Sequence, residues 1–178
     1  PASVGLVIPL VTLLMLKRLN PPRERSRPAE CTVVRNFNSS APSESSTAPG
    51  MAAVKAVGKH AQGAICYTTS PIHTLERFVQ LGKDMQEMGC DSVAIKDMAG
   101  LLTPAVSAKL VKALVKELDV PVFVHTHATA GLADMCQFKA VENGAAGIDT
   151  AISTMSGGTS HPPTESMVAA FKDTEYDT

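Results

Sequence analysis

No apolar run in this 178-residue chain is long enough to cross a bilayer. The most apolar stretch, residues 5–16 (GLVIPLVTLLML), has twelve residues and is interrupted by Pro9. A spanning helix takes about 20. The charges Lys17 and Arg18 follow this run, whereas a secretory signal places them before it. Tryptophan is absent and aromatics make up only 4% of the residues; neither fact points to a function. The four cysteines, Cys31, Cys66, Cys90 and Cys136, are scattered with no C-x-x-C. That pattern argues against a zinc ribbon or a disulfide framework and for reduced, buried thiols of a cytoplasmic protein. Neither sign of charge dominates: 16 basic and 17 acidic residues leave a net charge of −1. No global field therefore draws in nucleic acid. No G-x-G-x-x-G is present, which weakens a dinucleotide-binding sheet. A complete (β/α)8 barrel usually needs about 250 residues, so a barrel built from this chain is incomplete.

What is present divides near residue 50. Residues 1–50 hold seven of the twelve prolines, a serine-rich run over 39–46, and Arg23, Arg25 and Arg27. Their composition predicts a leader outside the main fold, because so polar a segment cannot bury enough apolar surface to order itself. Residues 32–37 (TVVRNF) alone look strand-like. Glu24 interrupts the arginines and no aromatics are interleaved, so single-stranded nucleic-acid binding has little support.

Residues 51–178 are regular. Strand-like runs occupy 64–67, 92–95, 120–125 and 147–152, starting 28, 28 and 27 residues apart. Helical patterns fill the gaps. Ser70-Pro71 and Thr103-Pro104 each read as an N-cap followed by proline at the first helical position. Further helices are expected over 132–142 and from about 164. Strand–helix alternation at this period marks βα units on a parallel sheet. The polar residues Lys96, Asp97, His125, His127 and Asp149 fall at the carboxyl ends of the strands, where a barrel keeps its chemistry.

His125-Thr126-His127 is the strongest local signal. Residues i and i+2 of an extended chain share a face, so both imidazoles can reach one metal ion; the alternative is two hydrogen-bonded histidines at a strand end. Lys96 ends a strand, and three readings stand side by side. It is a solvated or Asp97-paired lysine, a desolvated amine nucleophile, or an amine that adds CO2 to give an anionic carbamate ligand. Asp149 and the hydroxyl- and glycine-rich residues 153–160 form either a ligand-approaching loop or a plain polar connection.

The segments 61–78 (AQGAICYTTSPIHTLERF), 96–104 (KDMAGLLTP), 124–131 (VHTHATAG) and 149–165 (DTAISTMSGGTSHPPTE) resemble the carboxyltransferase domain of biotin-dependent enzymes. The likeness covers roughly residues 51–178 and looks nearest to the α subunit of oxaloacetate decarboxylase. The carboxyltransferase subunits of pyruvate carboxylase and of transcarboxylase are relatives. The resemblance implies a TIM (β/α)8 barrel of the α/β class, of which this chain supplies the C-terminal half, about four βα units. It implies a divalent metal, commonly zinc, sometimes cobalt or manganese, with Lys96 as carbamylated ligand and His125 and His127 as histidine ligands. Thr159 matches a threonine that moves a proton between biotin and the enol of pyruvate. Asp97, Met98 and Asp149 line or support the substrate pocket. The implied reaction is decarboxylation of oxaloacetate to pyruvate with transfer of CO2 to biotin. Pyruvate carboxylation is the same half-reaction reversed. Loss of CO2 leaves an enolate whose charge calls for a Lewis acid and nearby donors, and a hydroxyl able to give and take a proton links the two halves.

Two departures go with the likeness. The family's fourth ligand is an aspartate in an Asp-x-x-x-Arg-Asp motif, which residues 1–50 lack. No Met-Lys-Met biotin acceptor is present, so biotin is expected on another chain or region. Expected partners are a biotinylated carrier domain, membrane-embedded decarboxylase subunits coupled to sodium export, and other copies in an oligomer. The expected location is cytoplasmic, peripheral to the membrane through those subunits. The competing expectation is an inactive half barrel that needs a complementary chain, since open sheet edges invite association.

Overall fold

The computed structural model describes residues 11–15, 31–35 and 47–177. In chain order the elements are β1 (Val11–Met15), β2 (Cys31–Arg35), α1 (Thr47–Ala56), β3 (His60–Cys66), α2 (Leu75–Glu87) and β4 (Ser92–Asp97). They continue with α3 (Pro104–Glu117), β5 (Val122–Thr126), α4 (Ala133–Glu142), β6 (Gly147–Ala151) and α5 (Thr164–Phe171). Strands β3 to β6 are mutually parallel neighbours, each followed by a helix. These are the four expected βα units.

The apolar pattern explains why helices cover one face of the sheet. Ile65, Val93, Ile95, Val122, Val124 and Ile148 share one buried cluster with Phe78, Leu81 and Met85 of α2, Leu110 and Leu114 of α3, and Met167 and Phe171 of α5. Alternate strand residues point the other way; Ala94 and Phe123 form a separate small cluster there with Ala146. A doubly wound sheet buries both faces under helices. One helix-covered face is the arrangement of a barrel wall, here half of one. Leu114, fully buried, anchors α3 to it, and truncation of such a leucine to alanine costs about 2–5 kcal/mol.

The helix starts test the capping signals. Thr103 caps α3, its side chain accepting from the Val106 N–H at 3.4 Å, with Pro104 following as expected. Ser70-Pro71 does not open α2. The cap is Thr74, which accepts from the Arg77 N–H at 3.3 Å. Ser70 instead makes a tight turn: its carbonyl accepts from the His73 N–H at 3.1 Å, and its hydroxyl lies 2.6 Å from His73 Nδ1. A Ser-Pro pair suits a turn as well as a cap, and the local bonds to His73 decide for the turn.

Of residues 1–50, the described stretches Val11–Met15 and Cys31–Arg35 pair at the two edges of the sheet. β2 pairs parallel with β3, Cys31 opposite His60 and Arg35 opposite Ala64. It starts one residue before the strand-like run. β1 pairs antiparallel with β6, Val11 opposite Ala151 and Met15 opposite Gly147. Each pairing gives the edge N–H and C=O groups of the parallel sheet a neighbouring strand. The compositional boundary at 50 lies inside α1, whose Met51 is fully buried. The arginines 23, 25 and 27, the serine run 39–46, and the flanks of the apolar stretch 5–16 lie outside the described residues. No helix among the described residues is long and apolar enough to cross a membrane.

Candidate metal and carboxyl-transfer site

Register stacks the chemistry in one row. Cys66 pairs with Lys96, and Lys96 with His125. Paired residues of adjacent strands project from the same face, so Cys66, Lys96 and His125 line the face opposite the helices. Asp149 joins them on β6, its Oδ2 2.6 Å from His125 Nδ1. The row beneath, Ala64, Ala94, Phe123 and Gly147, is apolar. Barrel interiors are built in such side-chain layers. Lys96 is 6% exposed, too buried for a plain solvated lysine. Burial pushes the neighbouring Cys66 thiol pKa up, and the Lys96 charge pulls it back in part.

His125 and His127 lie on and just beyond β5, as their spacing predicts, with ring centroids 5.2 Å apart. A third imidazole joins them. His161 sits 4.3 Å from the His125 ring and 4.6 Å from the His127 ring, centroid to centroid. One ring nitrogen from each of the three lies within 4.8 Å of the others. The loop after β6 brings His161 there. Gly157 and Gly158 turn at φ 78° and 53°, the His161 carbonyl accepts from the Gly157 N–H at 2.9 Å, and the Ser160 carbonyl accepts from the Ala128 N–H at 2.8 Å.

Each ring is oriented by an acceptor at Nδ1: the Asp149 carboxylate for His125, the Thr159 carbonyl at 2.6 Å for His127, and the Thr126 carbonyl at 2.9 Å for His161. A carbonyl oxygen cannot donate, so Nδ1 carries the proton in His127 and His161. In the neutral rings this leaves the Nε2 lone pair for another partner. Histidine ligands are held in this way in metal sites. Burial pushes the His161 pKa down, and the nearby His125 and His127 act in the same sense against the Thr126 carbonyl and Asp149. It is therefore neutral near pH 7. The donor set fits a divalent ion of the zinc, cobalt or manganese type.

The remaining expected residues separate. Asp97 is fully buried on the helix-side alternation and accepts three bonds: from the Leu101 N–H at 2.9 Å, the Leu102 N–H at 2.8 Å and the Thr126 hydroxyl at 3.0 Å. It braces the loop and does not face the row. Met98 is 52% exposed on that loop. Thr159 is exposed, and its main chain already serves His127. Gln137 of α4 donates to the Asp149 carbonyl at 2.6 Å and fixes β6 at this level. Gly100, at φ 68°, leaves room that a Cβ would take: that atom would stand 3.0 Å from the His127 carbonyl oxygen. His161 is the residue the sequence reading missed. Its signal was present in the quoted 149–165 segment, but no local spacing links it to His125.

A family model described as HMGL-like matches residues 35–178 of the chain. A pyruvate carboxylase subunit of Methanocaldococcus jannaschii is 56% identical over 124 residues, 70% of this chain and 22% of that protein. The methylmalonyl-CoA carboxyltransferase 5S subunit of Propionibacterium freudenreichii subsp. shermanii is 46% identical over 133 residues, 74% of this chain and 26% of that protein. Among solved structures, the carboxyl transferase domain of Rhizobium etli pyruvate carboxylase superposes with a TM-score of 0.72 at 36% identity, covering 74% of this chain and 23% of that one. The chain thus spans about a fifth to a quarter of the relatives it matches. The proteins named are carboxyltransferases of pyruvate and of methylmalonyl-CoA enzymes, and the nearness to oxaloacetate decarboxylase expected from the sequence is not shown by them. With the match over residues 35–178 and the half-barrel wall of βα units, this chain belongs to the HMGL-like family.

Proposed function

We propose that this chain is the C-terminal half of a biotin-dependent carboxyltransferase of pyruvate carboxylase type, acting on pyruvate and oxaloacetate with biotin brought by a separate carrier. The observation that carries the reading is the row Lys96, His125 and Asp149 with His127 at the strand ends. It occurs in a chain 56% identical to a pyruvate carboxylase subunit. The matched relatives do not support sodium-exporting membrane subunits. A cytoplasmic location and assembly with further copies or a complementary half belong to the same proposal.

In this reading His125, His127 and Lys96 hold a divalent ion. Lys96 serves as a carbamate: its neutral Nζ attacks CO2, an N–C bond forms and one proton leaves. The ion, when bound, supplies Lewis-acid polarisation of the substrate carbonyl. Asp149 keeps His125 in the tautomer that presents Nε2. Asp97 holds the loop after β4 against Thr126, so the mouth keeps its shape. Thr159 stands on the loop that carries His161. Its hydroxyl takes the proton from the methyl carbon of pyruvate and returns one to the ureido nitrogen of biotin, so carboxyl group and proton exchange places. The opposite direction uses the same atoms in reverse.

The test is oxaloacetate-dependent pyruvate release in the presence of free biotin, using the gel-filtered chain loaded with zinc, cobalt or manganese. Activity that Lys96→Ala and Thr159→Ala each remove supports the assignment. Full activity in both variants overturns it.

A further inference from the structure

We propose that the cleft between α2 and α3, on the helix side of the sheet, is a second ligand site, one that takes a small carboxylate carrying a single flat ring. The site is independent of the metal reading above, because it lies on the other face of the β3–β4 wall. Successive residues of an extended chain point to opposite faces. Cys66 lines the lumen beside Lys96, and Tyr67, the next residue, packs against the helix-side core.

Three observations carry it. The first is size and lining. The cleft has a volume of about 190 Å³. An apolar cavity of about 150 Å³ takes benzene, whereas drug-sized ligands occupy pockets of about 300 Å³ or more. The space therefore suits one ring. One wall is aromatic. Tyr67 stacks on Phe78 at 5.3 Å and His73 stacks on Phe78 at 5.9 Å, with interplanar angles of 29° and 30°. A flat ring meets such faces by offset stacking. The other wall is one face of α3, from which Val106, Lys109 and Leu110 line the cleft at the i, i+3, i+4 spacing of a helix.

The second observation is that the aromatic wall is fixed in advance. Ser70 holds His73 twice, through its carbonyl to the His73 N–H and through its hydroxyl to Nδ1. Thr74 then caps α2 and sets the start of the helix that carries Phe78. A wall already held in place loses little entropy when a ligand fills the cleft. The turn at Ser70-Pro71 thereby gains a role beyond connecting β3 to α2.

The third is charge. Among the described residues, neither the Lys109 ammonium nor the Tyr67 hydroxyl has a hydrogen-bond or ion-pair partner. Lys109 is exposed, so its stem covers apolar surface while its head stays in water at the rim. Asp97 is the acid whose charge reaches Tyr67, but its carboxylate is committed to Leu101, Leu102 and Thr126. The cleft thus offers a cation and a hydroxyl to a ligand and no free acceptor of negative charge. A carboxylate on the ring answers both groups, and an ammonium in its place is repelled by Lys109.

The test titrates the full chain, 13C-labelled at alanine, leucine and valine methyls, with 4-fluorobenzoate and separately with 4-fluorobenzylamine. We expect the benzoate to move the Val106 and Leu110 methyl resonances with a Kd of about 1 mM, the scale for so few atoms. The methyls of Ala94 and Ala151, which lie on the lumen side, should stay in place. The amine should bind more weakly by about fivefold or more, and Lys109→Glu, a change at an exposed position, should reverse the order of the two probes. Absence of any saturable shift at Val106 and Leu110 overturns the proposal. Shifts confined to Ala94 and Ala151 place the benzoate in the lumen and overturn it as well. Equal affinity for benzoate and amine, or an order that Lys109→Glu leaves unchanged, refutes the carboxylate class.

Discussion

His125 Nδ1 lies 2.6 Å from Asp149 Oδ2, and this bond joins β5 to β6 at the level of the chemistry. It makes Asp149 a positioning residue, one that acts through the ring of His125. Asp149→Asn keeps a side chain of the same shape but removes the charge that secures the Nδ1 proton. We expect a loss of about 10–100-fold in Co2+ affinity with unchanged far-ultraviolet circular dichroism. Equal affinity in the variant would show that β5 alone orients the ring.

Thr159 has two roles that mutation can separate. Its carbonyl accepts from His127 Nδ1, and this bond survives any side-chain change. Its hydroxyl is assigned the proton. Thr159→Ala should therefore leave Co2+ affinity and spectrum within about twofold while lowering turnover by about 10²–10⁴. Thr159→Ser should recover part of it. Loss of metal in Thr159→Ala would point to a structural role.

Gly100 holds the loop after β4 close to His127. Its φ of 68° disfavours any side chain, and a Cβ would stand 3.0 Å from the His127 carbonyl and 3.2 Å from the Ala130 nitrogen. Both atoms are backbone and cannot swing away. Gly100→Ala should cost about 1–3 kcal/mol in urea unfolding and weaken metal binding through displacement of His127. Gly131→Ala, at φ 72° with open space around it, should pay only the backbone term and leave metal affinity intact.

Asp91 ties α1 to the sheet through the Lys55 ammonium and accepts from the Ala61 N–H at 2.8 Å. Burial pushes its carboxyl pKa up, but Lys55 and the Ala61 N–H outweigh burial and hold it below the usual value. A depressed carboxylate stabilises the fold above its unfolded pKa of about 3.9, and that contribution is lost as pH falls through the folded value. Both partners are partly exposed, so Lys55→Met should cost only about 0.5–1 kcal/mol at pH 7. The difference from the parent should shrink towards zero as pH falls through the lowered folded value of Asp91. A gap that is constant with pH would assign the effect to lost packing of the lysine stem.

The four βα units were legible in the sequence because each is a local device. Val106, Leu110, Val111 and Leu114 repeat at helical spacing, Thr103 caps its own helix, and Val122, Val124 and Ile148 fall on one face of their strands by alternation. His125 and His127 were legible for the same reason, since two residues on one strand share a face wherever the strand lies. Thr74 was not, because Ser70-Pro71 carries the stronger local signal and the hydrogen bonds of His73 override it. His161 could not be read either. It lies 34 residues beyond His127, and its place depends on β6 docking beside β5 and on the turn at Gly157 folding back to the Thr126 carbonyl. Nor could the antiparallel pairing of β1 with β6, which depends on an edge that exists only once the sheet has formed. The sequence alone determined the elements, their faces and the histidine pair, through spacing along one chain segment. Tertiary structure alone decided which distant loop completes the site, because such contacts follow from how strands align and not from any period within them.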